Sequence, residues 1–444
     1  MKRSPLIILA ITLFLDLLGF GLILPLLPIY ITHYGGKPWV GGALLACFST
    51  MQFIFSPIWG RASDRYGRRP LILMSLWGSA ISFIAFGFAP NLLVLFVARV
   101  AAGILSAASL PTAQAYIADV TTPEKRAGGM AVLGASFGLG FALGPMIGGI
   151  AGRPVDFGFI HTQSLETPAL LAAIFCFLNF VWAYFNLPES LPAKDRQSTK
   201  GSSVLDVFPT IVKSMRNPEV SAQLTVFAFT TFAFTAVEST FSWLILVRFR
   251  DVMTQSALTA WKYTHPSGIL TETMRQNLIE KAQTSASSSV FAIVGITLII
   301  TQVMVMRGLA RRVGENRLVM FGTALLTCSL LGIVFAPTLL IVQLLAVGIA
   351  MGNGVLNPSL NALITQAAGP KDRGTLSGTQ QGLGSLARII APPINNAIVD
   401  WHPGIVPLGG VPFLGSALLM ATACALSLRL KPLANSEPAP EAAS

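Results

Sequence analysis

Twelve apolar runs, each long enough to cross a bilayer as a helix, divide this 444-residue chain. A span needs about 18 to 20 consecutive apolar residues rising 1.5 Å each. The runs fall at 6–32, 39–60, 70–89, 91–117, 126–151, 168–187, 219–247, 286–306, 318–336, 338–364, 373–399 and 409–430. With 53% hydrophobic and only 11% charged residues, the composition does not suit a water-soluble domain. A spanning β-barrel would alternate apolar and polar positions over segments of about ten residues. These runs are continuously apolar, so an all-α membrane protein is expected. Lys2 and Arg3 precede a first run without a small-x-small cleavage site, which therefore reads as an uncleaved span. Cys47, Cys176, Cys328 and Cys424 all fall inside spans and read as packing residues.

The net charge of +11 is a matter of distribution. With the N-terminus placed inside, one set of loops holds 21 of the 30 Lys and Arg residues and the opposite set holds seven. Only Arg99 and Arg388 remain within spans. The positive-inside rule then puts both termini in the cytoplasm, and the basic excess requires no nucleic-acid partner.

The chain also repeats. At an offset of 247 residues, Pro111 pairs with Pro358, Pro123 with Pro370, Arg126 with Arg373, Pro145 with Pro392 and Gly67 with Gly314. Two same-sense copies of six spans imply halves related by an axis along the membrane normal, with a site between them near the midplane. The expected domains are an N-terminal bundle over 1–187, a cytoplasmic linker over 188–217 and a C-terminal bundle over 218–432. An outer loop occupies 248–285, where Met274, Leu278 and Ile279 would line a short surface helix. A disordered polar tail is expected over 433–444.

Three short stretches carry more than topology. "GRASDRYGRRP" places Gly60, Asp64, Arg65, Gly67 and Arg68 in a tight loop after the second run. "RVAAG" sets Arg99 inside the fourth run, and "GLGFALGPMIGG" sets Gly140, Gly144, Pro145, Gly148 and Gly149 on the fifth. The first resembles the loop signature of the major facilitator superfamily, the second its membrane-embedded arginine motif and the third its antiporter motif. The first run, "LDLLGFGLILPLLP", resembles that of the tetracycline-type 12-helix drug:proton antiporters through Asp16, Gly19, Gly21, Pro25 and Pro28. The resemblance implies two pseudo-symmetric six-helix bundles, a conformational lock around Asp64, and alternating access. It also implies exchange of a hydrophobic or amphipathic small molecule against protons across a cell membrane, by a monomeric functional unit. One departure bears on the substrate. Tetracycline exporters carry acidic residues in their third and ninth spans, and 70–89 and 318–336 contain none here, which speaks against metal-chelated tetracycline.

A charge at the bilayer centre costs at least about 2.5 to 3.5 kcal/mol, so each one requires a reason. Asp16, Arg99, Glu238 and Arg388 are the candidates for proton coupling and substrate contact. Arg99 is a partner for Asp16 within the same half. Glu238 lies among Phe232, Phe234, Phe241 and Trp243, a setting that suits reversible protonation or a cationic drug. Asn353, Asn357 and Asn361 recur every four residues, on one helical face. The repeat sets Ser106 and Gln114 opposite the first and last of them, so these five are the candidate cavity lining. The plainer readings are packing for the glycines, helix-to-helix hydrogen bonding for the amides and a static ion pair for Asp16.

His33, His161, His265 and His402 all fall in outer loops, and the chain has no HExxH, no GK[ST] and no Cys/His metal spacing. Catalysis, ATP-driven pumping, metals and cofactors are not expected. A proton-coupled symporter of a sugar or metabolite is the main alternative, and a non-transporting receptor on the same fold the second.

Overall fold

The computed structural model describes residues 5–122, 136, 138–140, 143–148, 155–156, 161–162, 166–192, 194, 196, 207–216, 218–265, 270–304, 309–367 and 373–428. The pairings of Pro123 with Pro370 and of Arg126 with Arg373, Gly149, part of the expected linker and the whole tail lie outside the described residues or their side chains.

In the first half, α1 (Pro5–Ile23) passes through a 3-10 turn (Leu24–Leu26) into α2 (Leu27–His33). It is followed by α3 (Pro38–Tyr66), α4 (Arg68–Gly87), α5 (Leu92–Ser106), α6 (Ser109–Val120), α7 (Gly138–Gly148) and α8 (Glu166–Asn186). A short antiparallel pair, β1 (Val155–Asp156) with β2 (His161–Thr162), lies between α7 and α8. The short α9 (Val207–Met215) leads into α10 (Pro218–Arg248), α11 (Arg250–Thr264) and α12 (Glu272–Met304). The one-turn α13 (Ala310–Val313), then α14 (Glu315–Val334), α15 (Leu339–Ala367), α16 (Arg373–Ala397) and α17 (Val411–Ser427) complete the second half.

Local chemistry sets these boundaries. Pro25 and Pro28 lack the N–H that a continuous helix needs, and the 3-10 turn falls at this pair. Asn91 caps α5 by accepting from the Val94 N–H at 3.1 Å. Gly67 and Gly314, a repeat pair, stand just before α4 and α14 with φ of 105° and 88°. Residues with a Cβ rarely adopt that region, so the two halves share a conformational signature as well as a sequence register.

Among the described residues nine helical segments are long and apolar enough to span a membrane, two of them joining α1 to α2 and α5 to α6. The other expected spans differ for visible reasons. The fifth is described only in part, α16 carries Ser, Thr, Gln, Asn and Arg side chains, and α17 has 17 residues. The expected outer loop is mostly helical. Met274, Leu278 and Ile279 belong to the first turns of α12, and the separate surface helix is α11, earlier in the chain.

Large apolar side chains such as Phe185, Leu93, Leu340 and Leu344 are mostly exposed, as expected of a surface that meets lipid. Inside, glycines let backbones touch. A Cβ on Gly144 would lie 2.8 Å from Gly21 Cα, and one on Gly148 would lie 2.6 Å from the Leu22 carbonyl oxygen. Gly140 stands equally close to Leu17 and Leu18. Thus α7 crosses α1 at backbone contact, the geometry that small residues spaced by four permit.

The face where α1 begins is termed near and its opposite far. At the far end α3 meets α16, where a Cβ on Gly42 would collide with the Pro392 carbonyl oxygen and stand 2.7 Å from Pro393 Cα. With its amide oriented to suit both neighbours, Asn396 ties the contact together, accepting from the Gly42 N–H at 2.9 Å and donating to the Ser239 carbonyl of α10 at 3.3 Å. Toward the near end α3 changes character: Val40 to Gly42, Leu44 and Leu45 are buried, whereas none of residues 51–60 is. The helix is sealed between the halves at the far end and accessible at the near end. There α9 bridges the halves, with Phe208 edge-on to Phe53 of α3 and Ser214 3.1 Å from Thr379 of α16.

Replacing Gly144 with Val should lower thermal stability in detergent by about 1 to 3 kcal/mol, the scale of overpacking. Gly415→Ala, at a position with nothing within 4 Å, should leave it unchanged.

Candidate functional site

Asp16 sits eleven residues into α1, about 16 Å along the helix axis. Its carboxylate accepts from Ser79 Oγ of α4 at 3.3 Å and from Ser109 Oγ at 3.1 Å. Ser109 is the first residue of α6, after a break at Ala107 and Ala108 that interrupts the fourth span. The carboxylate is thereby tied through a side chain to the first residue of α6. The expected pairing with Arg99 does not form. Arg99 is 3% exposed, its guanidinium lies over the Phe86 ring at 4.7 Å, and its Nε has no hydrogen-bond partner. Tyr30, edge-on to Phe86 at 4.9 Å, completes this second cluster. The static ion pair is thus absent from the geometry. Two serine hydroxyls hold Asp16, and an aromatic face holds Arg99.

In the second half, Glu238 lies ten residues before the end of α10 and Arg388 nine residues before the end of α16. At 1.5 Å per residue both stand about 14 to 15 Å from the far ends of their helices. No ion pair among the described residues joins them. Both are half-buried. Of the four aromatics expected around Glu238, Phe232 and Phe234 are half-buried, whereas Phe241 and Trp243 turn into the packing. Phe241 packs edge-on to Phe291 and tilted against Phe413, and Trp243 Nε1 would lie 3.3 Å from a Cβ on Gly41 at the far seal.

The three asparagines on α15 are used unequally. Asn357 donates to Asn353 Oδ1 at 2.7 Å, while Asn361 accepts from Gln380 of α16. Ser106 accepts from Gln52 of α3 at 3.3 Å, and Gln114 is exposed. Helix-to-helix bonding therefore accounts for Asn361, Gln380, Gln52 and Ser106.

At the near face Arg68 donates to Asp64, to Ser63 Oγ at 2.7 Å and to Asp119 Oδ2 at 3.2 Å. It thereby joins the ends of α3, α4 and α6, within the first half. Gly60 and Arg65 flank this cluster, and the Arg65 guanidinium lies over the neighbouring Tyr66 ring. The residue that the sequence did not single out is Glu189. Its carboxylate accepts from the Arg68 N–H at 2.8 Å and the Arg69 N–H at 3.2 Å, the first free donors of α4. It also accepts from the N–H groups of Ser190 and Leu191, each at 3.1 Å. Ser190 Oγ reaches Asp119 Oδ2 at 2.9 Å. An N-cap 121 residues away in the chain has no local sequence signal; "PES" after a helix end was the only hint. Among the described residues no group of three or more His, Cys, Asp or Glu could hold a metal ion.

Two helical halves packed together at one end, with isolated charges inside each, are the architecture of a membrane transporter. The family model described as Major Facilitator Superfamily matches residues 9–392 and 252–444, and the chain belongs to that superfamily. It is 28% identical over 397 residues to the class H tetracycline resistance protein of Pasteurella multocida, covering 88% of each chain. It is 26% identical to multidrug resistance protein 2 of Bacillus subtilis, covering 94% of this chain and 95% of the other. Among solved structures, the human organic anion transporter MFSD10 superposes with a TM-score of 0.66 at 24% identity, covering 96% of this chain and 99% of that one. The nucleoside transporter NupG gives a TM-score of 0.67 at 13% identity, covering 96% of this chain and 99% of that one.

Glu189→Ala should lower thermal stability by about 0.5 to 2 kcal/mol, the range of a lost N-cap. Scanning calorimetry of the detergent-solubilised protein checks this, and an unchanged transition would show that α4 does not depend on the cap.

Proposed function

We propose that the protein is a proton-coupled antiporter that exports hydrophobic or amphipathic small molecules by alternating access. In this reading the bundles over 1–187 and 218–432 rock about the linker over 188–217 in a bacterial inner membrane, with both termini and the near face cytoplasmic. The protein acts as a monomer and takes a small molecule and protons as its partners.

The observation that carries the reading is the position of Asp16. It is a carboxylate inside the first span whose bonds come from neutral hydroxyls, so it has room to take up and release a proton. A permanent cationic partner would oppose that exchange. A change in its charge also has a mechanical neighbour. The next two residues, Leu17 and Leu18, press on Gly140 of α7. Gly138, at the other side of α7, stands 3.2 Å, measured from a built Cβ, from Ile299 of α12 in the second half. Displacement of α1 on protonation would thus be felt through α7 at the boundary between the halves, where packed interfaces switch between discrete arrangements. The antiporter motif supplies the close packing on which this depends.

Glu238 and Arg388 belong to substrate contact, with the half-buried faces of Phe227 and Phe234 as apolar surface. Asn353 and Asn357 line the polar side, and Arg99 sets the electrostatic environment beyond Asp16. The Asp64–Arg68–Asp119 cluster, braced by Glu189, sets the balance between the two access states through the ends of α3, α4 and α6.

Reconstituted into proteoliposomes with an imposed pH gradient, the protein should drive uphill movement of amphipathic aromatic compounds and release protons in exchange. Asp16→Asn should abolish gradient-driven uptake while leaving exchange of compound for compound, since the asparagine mimics one protonation state. Full gradient-driven transport by Asp16→Asn would sink the assignment of the coupling proton. Asp64→Asn should leave insertion intact and slow turnover by about 10-fold or more, because a hydrogen bond to a charged group is worth about 1.5 to 3 kcal/mol. Initial rates at matched expression check this.

A further inference from the structure

Arg69 follows Arg68 in the chain, but its side chain has no share in the cluster that Arg68 ties together. Its Nη2 donates to the Tyr184 carbonyl near the end of α8, and its guanidinium lies over the Tyr184 ring at 5.3 Å. No carboxylate among the described residues stands within ion-pair distance of it, and its Nε is shielded without a hydrogen-bond partner. Glu189, which accepts from the Arg69 N–H, has its own cation in Arg196 at 3.9 Å. Tyr184 in turn begins a column of rings. Phe180 is 6.2 Å from it, Trp77 of α4 is 5.4 Å from Phe180, and Phe177 is 5.9 Å from Trp77. Next to Arg69, the side chains of Pro70, Leu73, Met74, Trp77 and Phe180 line a shallow groove of about 330 Å³. Both helices pack mainly against others of the first half, and Trp77, Ile81, Ile84, Phe177 and Leu178 are exposed, so this face meets lipid. Tryptophan and tyrosine commonly sit at headgroup level, but Trp77 is about 12 Å further along α4 than Arg69. Rings at acyl-chain depth thus stand in line with a cation that lacks a counter-charge.

We infer that the groove between α4 and α8 binds one anionic phospholipid of the leaflet at the near face. The lipid phosphate sits on the outer amines of Arg69, and one acyl chain runs along Trp77 and Phe180. A guanidinium carries five donors and offers a phosphate two of them in parallel, and the bond to Tyr184 uses one. The headgroup decides between lipids. Residues 61–69 hold Arg61, Arg65, Arg68 and Arg69 against the single carboxylate of Asp64. A choline or ethanolamine headgroup would bring a further cation into that field, whereas a glycerol headgroup brings none, so phosphatidylglycerol is the occupant. Bound there, it would fasten the start of α4 to the end of α8 beside the Glu189 cap. The inference depends on membrane embedding alone and holds whichever way the transport cycle runs.

The test uses the full-length protein in mixed micelles with phospholipids brominated along their acyl chains, which quench a tryptophan only on contact. The chain has seven tryptophans, and the quenching lost in Trp77→Phe is the part that belongs to Trp77. That part should saturate at a phosphatidylglycerol mole fraction about 5-fold or more below the one needed with phosphatidylcholine, the scale of one arginine meeting an anionic lipid. Arg69→Gln should remove the preference. Arg317→Gln, at an exposed arginine of α14 in the second half, should keep it. Should Arg69→Gln lose its melting transition, Arg69→Lys takes its place, and its preference should fall to about 2-fold because an ammonium lacks the planar fork. Equal quenching of Trp77 by the two lipids in the wild type, the behaviour of an ordinary lipid annulus, would overturn the inference. An undiminished preference in the Arg69 variant would do the same. The melting temperature supplies the last arm: phosphatidylglycerol should raise that of the wild type, and inorganic phosphate should not. A rise with inorganic phosphate that matches the lipid's would assign Arg69 to a free anion and overturn the lipid site.

Discussion

Helices in a bilayer gain nothing from hiding apolar surface from lipid, so their association rests on how closely their backbones can approach. In this protein that approach is made at glycine. Gly21 against Gly144 joins α1 to α7, Gly103 against the Phe48 carbonyl joins α5 to α3, and Gly322 against the Gly352 carbonyl joins α14 to α15. Gly42 against Pro392 joins the halves at the far seal. Contacts of this kind have little slack. A helix that touches its neighbour at the backbone cannot compress further, so movement within the bundle proceeds by sliding or by opening. The same packing that replaces a hydrophobic core therefore defines which motions remain available.

Within this packing the intramembrane charges divide into two chemistries. The first half holds its charges apart, Asp16 on two hydroxyls, Arg99 on an aromatic face. The second half carries Glu238 and Arg388 on neighbouring helices, and no ion pair among the described residues joins them. The seal above them is built from uncharged groups, with Asn396 and the proline backbone doing the joining. A seal of this kind opens without separating ions in a medium of low dielectric, where that separation is costly.

Much of the architecture was legible because the bilayer imposes a length and a polarity on every span, and those are properties of contiguous residues. Asp16 and Glu238 stood out for the same reason: a carboxylate in an apolar run is visible without any neighbour. What stayed hidden were relationships. Ser79 and Ser109 look like ordinary small residues until the fold brings them to Asp16, and the break before Ser109 has no proline at the break itself. Arg99 was expected to meet Asp16 because opposite charges in one half invite pairing, but the Phe86 ring offered a closer partner. Phe241 and Trp243 share a stretch with Glu238 and point elsewhere, because a helix turns about 100° per residue. Glu189 was overlooked because its role lies at the start of another helix.

The length of α12 has a practical corollary. Its 33 residues extend about 50 Å, some 20 Å more than a hydrocarbon core, and α11 packs beside it. Most of a transporter of this size is wrapped in detergent or lipid and offers an antibody little to grip. A helical hairpin standing clear of the far face, with Tyr263 88% exposed, gives such a reagent a structured epitope. Bound there, it would serve as a rigid marker for single-particle imaging and would leave the site and the near-face opening untouched.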